Sequence, residues 1–234
     1  MKNYLKEIFK IRKELSKERR NTIKKAYVLA KKLHKGQKFD GQNYPYFIHP
    51  AYAGFLLSKW DMDYEVICAG ILHDVVEDCG IHLVTIKKKF GERIAFLVDG
   101  MSWEIKWNFK NKRYEKDWDG FFKKICAYAK EDISIILLHC ADERSKLEDI
   151  FGRKFEKKDE SIKKTRERLE RYLAFYVPLY KEIGLKKHSE YLHDKLSSVV
   201  KKKVKSKLRE YITKDGIKKI RKKLDRVKDI NELK

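Results

Sequence analysis

The stretch GILHDVVEDCG, residues 70–80, sets His73, Asp74, Glu77 and Asp78 within six positions of one another. Its flanks are apolar: Val66, Ile67, Ala69, Ile71, Leu72, Val75 and Val76 belong in a core. On one continuous helix His73 and Glu77 lie four apart, as do Asp74 and Asp78, so the pairs form adjacent stripes on one side. Three carboxylates that close repel one another unless a cation neutralises them. A divalent metal does this well, because imidazole and carboxylate are both good ligands for it. A solvated polar face is the alternative, but the flanks predict burial on most sides, and burying ionisable groups without partners is costly. Two distant segments extend the set. His49 opens a helix after the aromatic run PYFIHP, and Asp142 follows the apolar run ISIILLHCA. His49, His73, Asp74 and Asp142 together offer two nitrogens and two oxygens, leaving positions on a six-coordinate ion for water and substrate.

The elements that must position these residues read as helices. Residues 3–19 and 21–35 carry apolar positions at helical spacing: Leu5, Ile8 and Phe9, then Ile23, Ala26, Tyr27, Ala30 and Leu33. Gly36, Gly41 and Pro45 break the pattern over 36–48, which reads as an ordered loop. Pro50 suits the first turn of a helix running to Trp60. A long helix from about residue 63 is expected to carry the acidic segment and to stop at Gly80. Shorter helices are predicted over 83–90 and 92–101, and residues 103–113 show no clean period and read as a loop. Helices resume over 114–130, 132–152, 159–183, 186–212 and 215–226. The fold class is therefore all-α.

With 234 residues and 42% hydrophobic side chains, the chain can bury one sizeable core. The 12% aromatic content separates it from disordered polyelectrolytes. No run of about 18 apolar residues occurs, so no membrane partner is expected. The N-terminal stretch MKNYLKEIFKIRKEL lacks the apolar core of a signal peptide. Cys68, Cys79, Cys126 and Cys140 are scattered without a CxxC pair, which fits reduced thiols in a cytoplasmic protein. A net charge of +22 fits an anionic partner, but lysines spread along the chain fit solvated helix faces better. From Lys201 onward basic residues dominate and large apolar ones are few. The expected organisation is a main domain over 1–197 and a basic helical extension over 198–234.

The order HKGQKFDGQNYPYFIHP, GILHDVVEDCG, FGERIAFLVDGMS and LHCADERSKLEDI resembles the hydrolase domain of the RelA/SpoT alarmone enzymes, members of the HD phosphohydrolase superfamily. The similarity runs over roughly residues 20–190 and includes RERLERYLAFYVPLYKEIGL. A synthetase domain is not expected within these 234 residues, so the expectation is a stand-alone hydrolase of the small alarmone hydrolase type. The resemblance implies an HD-domain helical bundle holding one divalent ion, usually manganese. His49, His73, Asp74 and Asp142 match the metal ligands, and Glu77 and Asp78 match the acidic pair that positions and activates the attacking water. The implied reaction removes pyrophosphate from the 3′ position of guanosine 3′,5′-bispyrophosphate (ppGpp), a stringent-response alarmone.

The chain departs from that family in the layer that would meet the nucleotide. Lys38-Phe39 stands where the family has an arginine available to stack on a base, and Phe39 can take that role or simply pack the loop. His139 replaces a lysine before the last aspartate, Glu143 replaces a basic residue, and Lys146 replaces an asparagine. Lys38, Arg144 and Lys146 flank the expected metal and are the candidate phosphate contacts. His82 and His139 are set aside as ligands of a second metal, because their spacing differs from that of two-metal relatives. Two alternatives stay open: an HD phosphohydrolase acting on another nucleotide, and a non-catalytic nucleic-acid- or ribosome-binding protein that uses the basic C-terminus.

Overall fold

A computed structural model describes residues 3–38, 45–103, 105–108, 113–151, 160–200, 204–227 and 233. Phe39 lies outside the described residues. Among the described residues the chain is helical with one short β-ribbon, and it forms two compact units.

The first unit comprises Met1–Asp117 and Ser134–Ile150. Its helices are α1 (Tyr4–Ile11), α2 (Lys17–Leu33), α3 (Ile48–Lys59), α4 (Tyr64–Leu72), α5 (Val75–Cys79), α6 (Leu83–Phe90) and α7 (Glu92–Met101). Helix α1 stops at Ile11, short of the expected residue 19, because the chain turns at Arg12 and Ser16 caps α2 through the amide of Arg19. The Asp63 side chain accepts from the amides of Glu65 and Val66 at 2.9 and 3.1 Å, which fixes the start of α4. The expected long helix through the acidic segment is broken: α4 ends at Leu72 and α5 begins at Val75. Gly80 then stops α5 in the left-handed conformation at φ 66°.

Residues 103–113, expected as a loop, instead contribute to an antiparallel ribbon of β1 (Ile105–Asn108) and β2 (Arg113–Lys116), in register from Ile105–Lys116 to Asn108–Arg113. Trp103, Ile105 and Trp107 alternate with polar residues in the sequence. That period of two is the strand signal that a search for helical spacing passes over. In chain order the next helices are α8 (Trp118–Glu131) and α9 (Ser134–Phe151). Most of α9 belongs to this first unit, where Ile135, Ile136, Leu137, Leu138, Cys140 and Ala141 are buried.

The second unit takes in α8 together with α10 (Glu160–Ala174), α11 (Tyr176–Ile183), α12 (Lys186–Val199), a 3-10 turn at Leu208–Glu210, and α13 (Lys214–Leu224). Aromatic rings make its core: Phe122 stacks on Phe175 at 4.1 Å between centroids and meets Tyr176 edge-on. Leu208, Ile212, Ile217, Ile220 and Leu224 are buried in the second unit. All four cysteines are free, and among the described residues no helix is long and apolar enough to cross a membrane.

Candidate metal centre

Two glycines let α3 and α4 cross closely enough to bring distant histidines together. A Cβ built on Gly54 would lie 2.5 Å from Cγ1 of Ile71, and one on Gly70 would lie 3.5 Å from the Gly54 Cα. His49, in the first turn of α3, and His73, just past α4, thereby face each other with their Nε2 atoms 3.2 Å apart. Asp74 follows directly, and its Oδ2 lies 3.4 Å from His49 Nε2 and 3.1 Å from His73 Nε2. Asp142 on α9 supplies Oδ1 at 3.0 Å from His49 Nε2 and 3.2 Å from His73 Nε2. All four residues are buried, none more than 7% exposed.

The hydrogen bonds behind this cluster set the tautomer of each imidazole. Nδ1 of His73 lies 2.8 Å from the carbonyl of Gly70, which only accepts, so Nδ1 carries the proton. The hydroxyl of Ser145 donates to the His49 carbonyl at 3.2 Å, so its oxygen accepts from His49 Nδ1 at 2.9 Å. In the neutral rings both Nε2 lone pairs therefore point inward, toward two carboxylate oxygens. Oδ1 of Asp142 is buried and accepts no well-aligned hydrogen bond, although donors and nitrogens surround it. Two inward imidazole nitrogens and two carboxylate oxygens form a donor set that fits a divalent cation. The His49, His73 and Asp74 ligand atoms all lie within 4.8 Å of one another.

Electrostatics report the same convergence. Burial acts to lower the His73 pKa, yet the facing carboxylates of Asp74 and Asp142 outweigh it and hold the imidazole well above its ordinary value. Burial would raise the carboxyls, but His73 beside Asp74, and Lys146 with both histidines beside Asp142, hold both well below the usual range. In this arrangement a proton occupies charge space that suits a cation.

The structure adds two residues that the sequence pattern did not single out for the site. Tyr46 donates its hydroxyl to Asp74 Oδ2 at 2.8 Å, with its ring between those of His34 and His49. Its place three residues before His49 in PYFIHP was the available signal. Ser145 is likewise new, and its signal was a position three residues past Asp142 on one helix.

The remaining candidates sit around this centre. Glu77 is held at both oxygens: Oε1 accepts the backbone N–H of Trp103, and Oε2 takes the Lys116 ammonium at 3.3 Å. Lys116 also lies over the Trp103 ring at 4.9 Å, so Glu77 fastens the open end of the ribbon, where β1 begins and β2 ends. Burial raises the Glu77 pKa against the opposing charge of Lys116. Asp78 is exposed, and its carbonyl accepts from Gln37 Nε2 at 2.9 Å. Gln37 in turn lies 2.6 Å from His34 Nδ1, tying the end of α2 to α5. Lys38 is exposed and bridges to Pro45, beside Tyr46. Arg144 is half-buried on α9. Lys146 places its ammonium 2.8 Å from both oxygens of Asp142. His139 pairs with the fully buried Glu143 at 3.5 Å and stands apart from the ligand set.

Residues 26–179 match the family model of the HD domain. The chain belongs to the HD domain family. Its inward-facing His-His-Asp cluster is the kind of centre by which HD phosphohydrolases depend on metal. Among relatives, the HD chain is 31% identical over 216 residues to a guanosine-3′,5′-bis(diphosphate) 3′-pyrophosphohydrolase of Aquifex aeolicus, covering 87% of this chain and 29% of that one. It is 30% identical over 164 residues to the bifunctional (p)ppGpp synthase/hydrolase SpoT of Escherichia coli K12, covering 70% of this chain and 22% of that one. The chain thus spans less than a third of the length of these curated relatives. A solved structure, described as a metazoan ortholog of SpoT that hydrolyzes ppGpp, aligns with a TM-score of 0.49 at 19% identity, over 87% of this chain and 95% of that one.

Proposed function

We propose that this HD domain is a cytoplasmic, metal-dependent phosphohydrolase that removes pyrophosphate from the 3′ position of guanosine 3′,5′-bispyrophosphate. The observation that carries the reading is the convergence of two fixed Nε2 lone pairs and two carboxylates at one buried point. His49, His73, Asp74 and Asp142 would hold one divalent ion, which we take to be manganese. When bound, such an ion supplies Lewis acidity toward water and phosphoryl oxygen. In the reaction the water oxygen bonds to phosphorus and the bond from that phosphorus to the 3′ oxygen breaks. Asp78, exposed and one turn past Asp74, takes the proton of the attacking water, and the leaving 3′ oxygen takes a proton from solvent. Glu77, held at both oxygens, keeps the ribbon in place beside that carboxylate. Lys38, Arg144 and Phe39 are the substrate contacts in this reading, cations for phosphate and a ring for the base. Lys146 acts on the substrate only from its position on Asp142. The names of the relatives support this choice of substrate.

The test is product analysis. Manganese-loaded protein incubated with the alarmone is expected to release pyrophosphate and guanosine diphosphate, and Asp74→Asn and His73→Ala to abolish release. Failure of the loaded wild type to act, or equal activity in both variants, overturns the proposal. Monophosphate release from other nucleotides alone would keep the chemistry and reject the substrate.

A further inference from the structure

Helix α13 has a structured side and a charged side, and the two do different work. Ile217, Ile220 and Leu224 are buried, and the Thr213 hydroxyl caps the helix by accepting from the amide of Gly216 at 3.1 Å. The Lys223 ammonium reaches the carbonyl of Glu131 at 2.7 Å and ties α13 to α8 within the same unit. What remains outward is basic: Lys214, Lys218, Lys219, Arg221 and Lys222 are all exposed, and Arg226 follows just past the helix end.

Three features make this face more than a solvated one. First, Lys214, Lys218 and Lys222 follow one another at intervals of four, so like charges stack along one stripe and repel. Second, among the described residues Lys214, Lys219, Arg221, Lys222 and Arg226 have no carboxylate in salt-bridge contact, and Lys218 has only exposed Asp215 at 3.8 Å. Third, the charge is concentrated: between positions 201 and 234 fifteen basic residues stand against five acidic ones. A surface that carries this repulsion on a rigid helix gains most from an anionic polymer that neutralises several cations at once.

We infer that the exposed face of α13 binds the phosphate backbone of duplex nucleic acid, independently of the metal centre. The apolar side of the helix is already used in packing, so α13 has no face to sink into a lipid bilayer. The exposed side offers no aromatic ring on which unpaired bases would stack, so the contact is to backbone and carries no sequence preference. Cations four residues apart are separated by about 6 Å along the axis, within reach of successive phosphates for flexible lysine stems.

The experiment measures binding of the full chain to a fluorescent 20-base-pair duplex as salt is varied. Engagement of about five cations predicts a slope of log affinity on log salt near −4.5, or about a hundred-fold loss between roughly 50 and 150 mM. Replacing Lys214, Lys218, Lys219 and Lys222 together by glutamine is expected to flatten that slope by about 3.6. Arginine at the same four positions is expected to retain binding. The control removes the same charge from exposed Lys24, Lys25, Lys31 and Lys32 of α2 and leaves the slope unchanged. Absence of duplex binding at low salt overturns the inference. So does equal loss in both glutamine variants, which would make the effect one of bulk charge, or binding to phosphatidylserine vesicles in place of duplex. A melting temperature no lower than that of the wild type, with unchanged metal affinity, shows that the α13 glutamine variant alters only the surface.

Discussion

Ser145→Ala removes one hydroxyl from a site it never faces, and it is expected to weaken metal binding by about tenfold. The serine oxygen accepts from His49 Nδ1 at 2.9 Å while its proton goes to the His49 carbonyl at 3.2 Å, all at 6% exposure of the serine. One neutral hydrogen bond is worth about 0.5–1.5 kcal/mol, or roughly 2- to 13-fold in an equilibrium constant. Loss of tautomer control adds to this, because His49 can then place its proton on Nε2 and turn a donor toward the ligand cluster. Removing a partner behind a metal-bound histidine typically costs about 10- to 100-fold, and the lower end suits a site with three other ligands. Manganese affinity is read by calorimetric titration of wild type and variant, with thermal melting of the metal-free proteins as a check on folding. Equal affinity with an intact fold would refute the argument that Ser145 sets the His49 tautomer. Ser145→Thr keeps the hydroxyl and is expected to recover affinity if the added methyl fits.

Three further outcomes follow from the same geometry. Tyr46→Phe deletes the 2.8 Å hydrogen bond to Asp74 Oδ2, a charge-assisted bond of about 1.5–3 kcal/mol, and should lower manganese affinity by about ten- to a hundredfold in the same titration. The His73 pKa is raised in the folded chain, so its stabilising protonation is complete below the unfolded value and is lost as pH rises through the folded one. Metal binding must displace that proton, so the rise in melting temperature produced by manganese should grow from about pH 6 to about pH 9; a rise that shrinks over this range would contradict the sign. Gly70→Val forces a side chain into the α3–α4 crossing against Leu57 and Gly54. Overpacking there costs about 1–3 kcal/mol, and the melting temperature and manganese affinity should fall together, since the same crossing holds His49 against His73; an affinity that survives a lowered melting temperature would uncouple the two.

The four candidate ligands were legible because their chemistry is intolerant of neighbours. An imidazole and a carboxylate inside ILHDVV, or an aspartate after ISIILLHCA, violate the pattern of a core unless something binds them. The stripes drawn on one continuous helix were less secure. The ring N–H of His73 bonds the Gly70 carbonyl, α4 ends at Leu72, and Glu77 turns to the ribbon at Trp103 and Lys116. Spacing along a chain says nothing of a side chain that bonds backward into its own helix. Tyr46 and Ser145 were marked only by their places near His49 and Asp142, because their partners lie 28 and 96 residues away and meet them only in the closed fold.

Lys146 shows how a local pairing competes with a distant role. Four residues past Asp142, it has the spacing of a helical ion pair, and the structure sets it on that carboxylate at 2.8 Å. The consequence is electrostatic. With both imidazoles neutral, as metal binding requires, two carboxylates and one ammonium leave the cluster with a single negative charge, where a neutral residue at position 146 would leave two. A divalent ion then makes the loaded site net positive instead of neutral. Affinity for the metal is lowered by that extra cation, and attraction for a polyphosphate is raised. Lys146→Asn should therefore bind manganese more tightly and the anionic substrate more weakly. The KM for the nucleotide should rise and its dependence on salt should weaken, which a loss of packing alone would not produce. A variant that loses both affinities together would refute this division of charge and make Lys146 a support for Asp142 alone.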